Sequence, residues 1–333
     1  MTPASRPPAA GSRATCPSTP PPPCTRTPRV RPPTPASSAG PSTPEPSRAP
    51  SRSTGSIGAA LGSWRRRRTD MDEMQANIAA YEQTVRSTIA LAGTFGDADW
   101  GRPTECPGWT VKDQLAHLVG VERDLLGDPA PAAEPREFDH VRNDFGRYLE
   151  IAVHARRPVP GPDVLAELAD ALERRLARLP GEDPDRVLMC PDGREGPYSR
   201  FMKFRAMDCW THEQDVRRAV GRPGNLDAPA ARCFWELLSR GLPLVVARRA
   251  KAAPGESVAF AITGPPDFDV TVTVDESGRG SWSEAAPTTE LAMDWETYVR
   301  LAAGRCTAAD VTVRTEGDRD LAARILATMA ITP

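Results

Sequence analysis

Apolar positions in the middle of the chain recur at the spacing of amphipathic helices. From Met71 onward they fall three or four residues apart, which predicts a first helix through Met74, Ile78, Tyr81, Val85, Ile89 and Ala92. Thr110 and Asp113 have the spacing of a capping box and predict the start of a second helix that continues to Leu125.

The helical period continues to about residue 220, and no convincing strand pattern interrupts it. Further helices are predicted over 138–153, 164–179 and 201–219, with Pro-rich connections between them. Residues 71–222 are therefore expected to form a helical bundle.

After Gly221 a two-residue alternation appears. A helix near 234–249 is followed by an antiparallel meander of strands over 257–263, 269–274 and 280–284. The remaining pattern predicts a strand at 289–293, a helix at 295–303, a strand at 311–314 and a helix at 318–328. Residues 223–333 should thus form a smaller α+β domain after the bundle, in a mainly α fold.

The N-terminal segment has a different composition. Sixteen of the first fifty residues are Pro, and large apolar side chains are nearly absent. Such a segment cannot bury enough surface to offset its ordering entropy, so residues 1–70 are predicted to be a disordered tail. Because helical patterning starts abruptly at Met71, the preferred interpretation is that translation begins there. A polyproline ligand or a basic tail using the arginines at 65–68 are the alternatives.

Charge and cysteine usage exclude some classes of function. Residues 1–70 carry +9 of a total of −2, which leaves −11 for the rest of the chain. An acidic body does not attract phosphate overall, so nucleic acid is not an expected partner. Seven Cys without a CxxC pair indicate reduced, cytoplasmic usage. No stretch approaches the roughly eighteen apolar residues of a membrane span.

The sequence places a carboxylate and an imidazole together on the last bundle helix. Asp208 and His212 are four residues apart, one turn along the same face. Arg205 and Asp215 share that face, whereas Trp210 points away. The face is polar where a buried helix would be apolar. Taken alone, such a pair is more often a surface ion pair than a pair of metal ligands.

His117 on the second helix is a candidate third ligand. It lies off the leucine stripe, on a side shared with Gly120, and could face solvent or the groove toward a neighbouring helix. Together with Asp208 and His212 it would supply three N/O ligands and leave one coordination position open. That is the composition of a catalytic zinc site, although nickel or iron(II) would accept the same ligands.

The other polar residues near these positions have simpler interpretations. His140 and His154 are assigned to solvated faces. Glu122 falls inside an apolar stripe, where it pairs with an arginine, supports the ligands, or lies at the edge of the stripe. Cys209 points about 100° away from Asp208 and is predicted to be a small core residue, not a nucleophile.

Two longer stretches resemble a known family. They are ECPGWTVKDQLAHLVG at 105–120 and DCWTHEQDVRRAVGRP at 208–223. Both are similar to the mycothiol-dependent maleylpyruvate isomerase family of actinobacteria, within the DinB-like four-helix-bundle superfamily. The closing LAAGR at 301–305 and EGD at 316–318 resemble the C-terminal domain of that family. The resemblance therefore runs from about Met71 to the end.

The resemblance implies a divalent metal, normally zinc, held by His117, Asp208 and His212. The isomerase has Glu where this chain has Asp208, which is one methylene shorter. The implied chemistry is that the metal binds mycothiol as a thiolate, which attacks an electrophilic carbon of a small substrate. An anionic substrate would need an arginine, for which Arg205 and Arg142 are the candidates.

Three hypotheses follow from the sequence. The first is a mycothiol-using isomerase or S-transferase. The second is a non-catalytic bundle that holds a metal or ligand, and the third is a bundle with no metal.

Overall fold

The computed structural model describes residues 55–132 and 138–332. Most of the predicted disordered tail lies outside these residues. The first helix, α1 (Gly55–Ala92), begins at Gly55, ahead of the predicted start at Met71. Met74, Tyr81 and Val85 are buried, so the period of three and four that starts at Met74 marks positions of α1 that face the bundle core.

The predicted bundle is present. After α1 its helices are α2 (Asp97–Trp100), α3 (Val111–Leu126), α4 (Asp144–Arg156), α5 (Gly161–Arg178) and α6 (Tyr198–Val220). Helix α6 packs along α1 and α3, and α3 also contacts α4 and α5. A short hairpin, β1 (Val187–Met189) with β2 (Glu195–Pro197), precedes α6 and was not predicted. Its three-residue strands are too short to show an alternation.

Local signals define the ends of α3. The Thr110 hydroxyl accepts a hydrogen bond from the Asp113 N–H, and the Asp113 carboxylate accepts one from the Thr110 N–H, which confirms the capping box. At the other end Gly127 adopts φ 78°, a left-handed conformation that glycine takes without steric cost. These two residues fix the length of the helix that carries His117.

The C-terminal part contains five strands, as predicted, and they form one sheet. It begins with α7 (Pro229–Leu238), α8 (Leu242–Leu244) and one π-helical turn (Val245–Arg249). The strands are β3 (Ser257–Thr263), β4 (Phe268–Val274), β5 (Gly280–Ser283), β6 (Thr289–Asp294) and β7 (Arg314–Gly317), in the order β5-β4-β3-β6-β7. The last two helices are α9 (Trp295–Ala302) and α10 (Arg319–Ala327).

The predicted meander is confirmed, but the predicted position of the last strand is wrong. Strands β3, β4 and β5 pair antiparallel in chain order, whereas β6 returns parallel to β3. The last strand lies at 314–317, three residues beyond its predicted start, because it pairs with β6 through Arg314 to Gly317. Register against β6, which a local pattern does not encode, determines that position.

The helical part and the sheet share one hydrophobic core. Trp210 on α6 packs against Phe234 on α7 and Trp295 on α9, with ring centroids 5.5 and 6.0 Å apart. The domain boundary after residue 222 stays a prediction. Within the described residues, no helix combines the length and the apolar character that crossing a membrane requires.

Candidate metal centre

Two helices bring the three predicted ligands together. Asp208 and His212 lie one turn apart on α6, and α3 presents His117 to the same point. One ligand atom from each residue can be chosen so that all three lie within 4.8 Å of one another. Of the two orientations open to His117, the structure has the one that faces the neighbouring helix.

Asp208 lies between the two imidazoles. Its Oδ2 is 3.3 Å from His117 Nε2, and its Oδ1 is 3.5 Å from His212 Nε2. The imidazole centroids are 4.5 Å apart. Both histidines are buried, whereas the Asp208 side chain is 29% exposed to solvent. A small molecule would therefore reach the centre from the side of Asp208.

The second nitrogen of His212 is held by two neighbours. Its Nδ1 is hydrogen-bonded to Gln114 Oε1 and lies 3.6 Å from Asp215 Oδ2. The Gln114 amide nitrogen donates to Thr104 Oγ1 at 2.7 Å, which orients the amide so that its oxygen faces His212. An acceptor at Nδ1 favours the tautomer that leaves the Nε2 lone pair directed at Asp208.

Protonation at the centre suits a cation. Burial lowers the pKa of His117 to about 4, so this imidazole is neutral at pH 7. Burial also opposes the ionisation of Asp208, but the neighbouring His117 and the Arg205 guanidinium outweigh it and hold the pKa of Asp208 well below its ordinary value. A neutral imidazole and an ionised carboxylate are the forms in which these residues bind metals.

Arg205 belongs to a buried ion-pair chain that ends at Asp208. Its guanidinium pairs with Asp208 Oδ2 and with Glu122 Oε1, both at 2.6 Å, and Glu122 Oε2 accepts from Arg175 at 2.9 Å. Of the readings left open for Glu122, the structure has pairing with arginine. Three N–H groups of Arg205 are occupied in this way, so its predicted contact with a substrate stays untested.

Trp109 covers the two imidazoles. Its ring centroid lies 5.1 Å from that of His117 and 5.8 Å from that of His212. The indole N–H donates to Glu150 Oε2 at 2.8 Å, and the same oxygen is 3.0 Å from His140 Nε2. The prediction of His140 on a solvated face is therefore wrong, because this histidine packs half-buried beside the Trp109 turn.

The prediction for His154 is also wrong. Its ring is half-buried and lies edge-on to Phe138, with centroids 5.5 Å apart. Gly120, on the same side of α3 as His117, lies close against α4. A Cβ there would lie 2.3 Å from the Cβ of Ala152, so glycine permits the close approach of α4 to α3.

The other predicted residues lie apart from the three ligands. Arg142 is exposed before α4, and among the described residues no hydrogen bond or ion pair joins it to the centre. The Cys209 thiol is fully buried, and burial raises its pKa well above the ordinary value. The interpretation of Cys209 as a core residue agrees with this environment.

Arg305, which reaches the centre from the C-terminal part of the chain, was not predicted from the sequence. The Nε of Arg305 lies 3.0 Å from Asp215 Oδ2, and Asp215 also pairs with Arg218 at 2.6 Å. Asp215 is the carboxylate beside His212 Nδ1. Arg305 lies in the LAAGR motif, but ninety residues separate it from Asp215. The periodicity of a single helix or strand therefore cannot predict that the two residues pair.

The fold and the clustered ligands define a class of protein, a helical bundle with a candidate metal centre between α3 and α6. Residues 81–217 match the family model described as the mycothiol maleylpyruvate isomerase N-terminal domain. The match includes all three candidate ligands and confirms the resemblance noted in the sequence.

Comparison with individual proteins gives more distant similarities. Two uncharacterized proteins from two strains of Mycobacterium tuberculosis are each 28% identical over 135 residues, which is 37% of this chain and 48% of the relative. The chain therefore matches about half the length of these curated relatives. Crystal structures of the mycothiol-dependent maleylpyruvate isomerase and of a mutant align with a TM-score of 0.46, at 16% and 15% identity, over 73% of this chain and 92% of theirs.

Proposed function

We propose that this protein is a metal-dependent, mycothiol-using isomerase or S-transferase that acts on a small electrophilic substrate. The observation that carries the proposal is the convergence of His117, Asp208 and His212 within 4.8 Å. The match of residues 81–217 to the mycothiol maleylpyruvate isomerase N-terminal domain supports the choice of thiol.

The residues present fit a zinc ion. His117 and His212 would each provide Nε2, and Asp208 would provide a carboxylate oxygen, which leaves a coordination position for a further ligand. Bound zinc would act as a Lewis acid that keeps the thiol of mycothiol ionised near neutral pH. Gln114 would hold the His212 tautomer, and Trp109 would exclude water from one side of both imidazoles.

The nucleophile in this proposal comes from mycothiol and not from the chain. Besides Cys209, Cys106 lies near the centre, and burial raises its pKa to about 11. Both thiols are therefore protonated at neutral pH and are weak nucleophiles. A thiol cosubstrate also agrees with the expected cytoplasmic location, where a small thiol stays reduced.

An anionic substrate would need a positive charge near the entrance. Arg142 is exposed and remains the proposed residue for that contact. Arg205 is buried and already paired with two carboxylates, so a contact with substrate would require it to release one of them.

Metal analysis of the full-length protein tests the metal part of the proposal. We expect one zinc per chain and its loss in His212→Ala. His154→Ala is the control, because it removes a half-buried histidine that lies away from the centre and should retain the metal. Wild-type protein without zinc after zinc supplementation would contradict the proposal, as would stoichiometric zinc in His212→Ala.

Catalysis is tested with a panel of small electrophiles, with and without mycothiol. A rate gain that requires both zinc and mycothiol supports an enzyme. Zinc binding without such a gain favours the alternative of a non-catalytic metal- or ligand-binding bundle. The ion pair between Arg205 and Asp208 favours the third hypothesis, a bundle without metal, because it already neutralises the carboxylate.

A further inference from the structure

Asp208 accepts a hydrogen bond from an arginine on its own helix. Arg205 precedes it by three residues on α6, and its Nη1 donates to Asp208 Oδ2 at 2.6 Å. The other edge of the same guanidinium donates to Glu122 Oε1, from Nη2 at 2.6 Å and from Nε at 3.1 Å. A planar guanidinium fixed on two sides leaves the Asp208 carboxylate little rotational freedom.

Glu122 is itself fixed on both of its oxygens. Its Oε2 accepts from Arg175 Nε at 2.9 Å, and Arg175 Nη2 donates to the Tyr198 hydroxyl at 3.0 Å. Arg175, Glu122 and Arg205 are all buried. Alternating charges therefore run from α5 through α3 to α6 and end at the only partly exposed member, Asp208.

Such a buried ion-pair chain is not explained by core packing. Buried ion pairs are weak evidence for stability, because desolvation offsets much of the attraction. Apolar residues of similar volume would fill the same space between α3, α5 and α6. The chain does, however, end on one oxygen of one candidate ligand.

The two oxygens of Asp208 consequently differ. Oδ2 carries the hydrogen bond from Arg205 and also lies 3.3 Å from His117 Nε2. Oδ1 lies 3.5 Å from His212 Nε2, and no hydrogen bond to it occurs within the described part of the chain.

We propose that Arg205 is a positioning residue, anchored by Glu122, that holds Asp208 through Oδ2 and leaves Oδ1 free to bind the metal. The inference rests on the proposed function and gives Arg205 a role through Asp208 instead of a contact with substrate.

Cobalt(II) binding to the full-length protein tests this inference. Cobalt affinity is measured by competition with a chelator, and the ligand field is read from the visible absorption of the bound ion. Arg205→Met should lower the affinity about 10- to 100-fold, as is typical for loss of a group that orients a ligand. It should also change the cobalt spectrum, because the freed carboxylate can bind through both oxygens.

Arg217→Met is the matched control. Arg217 is on the same helix and pairs with the buried Glu213 at 2.8 Å, away from the ligands. Its loss removes a similar ion pair but should leave cobalt affinity and spectrum unchanged. Arg205→Lys should recover part of the affinity, since an ammonium group can reach Asp208 without holding Glu122 as well.

A second variant guards against a failure to fold. The triple substitution Arg175→Met, Glu122→Gln and Arg205→Gln removes all three buried charges together, so no unpaired charge remains between α3, α5 and α6. It should show the same weakened affinity and altered spectrum. Wild-type spectrum and affinity in either variant would overturn the inference alone, as would an effect confined to KM for an anionic substrate. Wild-type protein that binds no cobalt would overturn the proposed function as well.

Discussion

The two sides of α6 are both buried but are built differently. On one side Trp210 is fully buried against the rings of Phe234 and Trp295. Its indole N–H donates to the Asn225 carbonyl at 2.8 Å, so the polar atom of this side chain is also satisfied. Close packing of large rings stabilises this aromatic side.

The opposite, polar side carries charged and ionisable groups. Arg205, His212 and Asp215 are buried there, and each is paired with a residue from another element. Their partners come from α3, as with Glu122 and Gln114, and from the segment after α9, as with Arg305.

This difference shows what each side contributes. The aromatic side joins the bundle to the sheet and can be described by area and shape. The polar side requires many exact pairings and gains little net stability from them, because burying ions costs nearly as much as pairing them returns. Retaining so many charges in a core is consistent with a ligand-binding site and not with a packing surface.

Removal of Trp210 should give the largest loss of stability. Trp210→Ala leaves a cavity at the junction of α6, α7 and α9, and we expect the free energy of unfolding to fall by about 3–5 kcal/mol. The folded fraction should keep its metal stoichiometry, because Trp210 points away from the ligands. Denaturant unfolding and zinc analysis measure the two effects.

Trp282→Ala is the matched control for that variant. Trp282 is 46% exposed on β5, and its loss should change the stability by no more than about 0.5 kcal/mol. Equal losses in the two variants would contradict the role assigned to the aromatic side.

On the polar side we predict a dependence on pH in the metal-free protein. The folded state holds the pKa of His117 at about 4, below the ordinary value of 6.5. Between these values the unfolded chain binds a proton that the folded chain does not, so stability is complete above about pH 6.5 and falls as the pH drops toward 4. The loss should approach about 3 kcal/mol. Chelator-treated protein unfolded in denaturant across this range measures it.

His117→Gln should flatten this part of the profile, because the group that resists protonation is gone. A wild-type profile that parallels that of His117→Gln would show that His117 is not the source. Trp210→Ala should shift the whole profile downward without changing its slope, which separates the two sides of α6.

The ligands could be predicted in part from the sequence. The spacing of Asp208 and His212 sets a common face on any helix, so their adjacency needed no tertiary information. The orientation of His117 did need it, because the rotation of α3 depends on how Trp109 and Gly120 pack against other elements. The family resemblance supplied that choice, which helical periodicity left open.

The supporting residues were harder to predict. Gln114 and Glu150 are ordinary polar residues on their helices, and their roles depend on which side chains the folded chain brings to them. Arg305 reaches Asp215 only because Trp295 of α9 packs against Trp210 of α6, which brings the segment after α9 to this helix. Pairings of this kind arise from tertiary packing, which local patterns do not record.

A smaller effect is expected where α3 meets α4, behind the polar side. Gly120→Ala would place a Cβ 2.3 Å from that of Ala152, so the helices must separate. We expect a loss of about 1–3 kcal/mol from this overpacking, with a lower zinc affinity because α3 carries His117. Gly101→Ala, which meets no atom within 4 Å, is the control and should not be destabilised. Equal stability of the two variants would contradict the packing role of Gly120.

The smallest effect concerns how firmly the start of α3 is held. Thr110→Ala removes the hydroxyl that accepts from the Asp113 N–H at 3.3 Å and donates to its carboxylate at 2.9 Å. Loss of such a cap should cost about 1 kcal/mol, measured by denaturant unfolding, and Thr110→Ser should restore it. Zinc affinity should stay unchanged, because His117 lies almost two turns further on and is buried by tertiary contacts. A drop in affinity with Thr110→Ala that serine reverses would instead show that the cap, and not packing, orients the helix that presents His117.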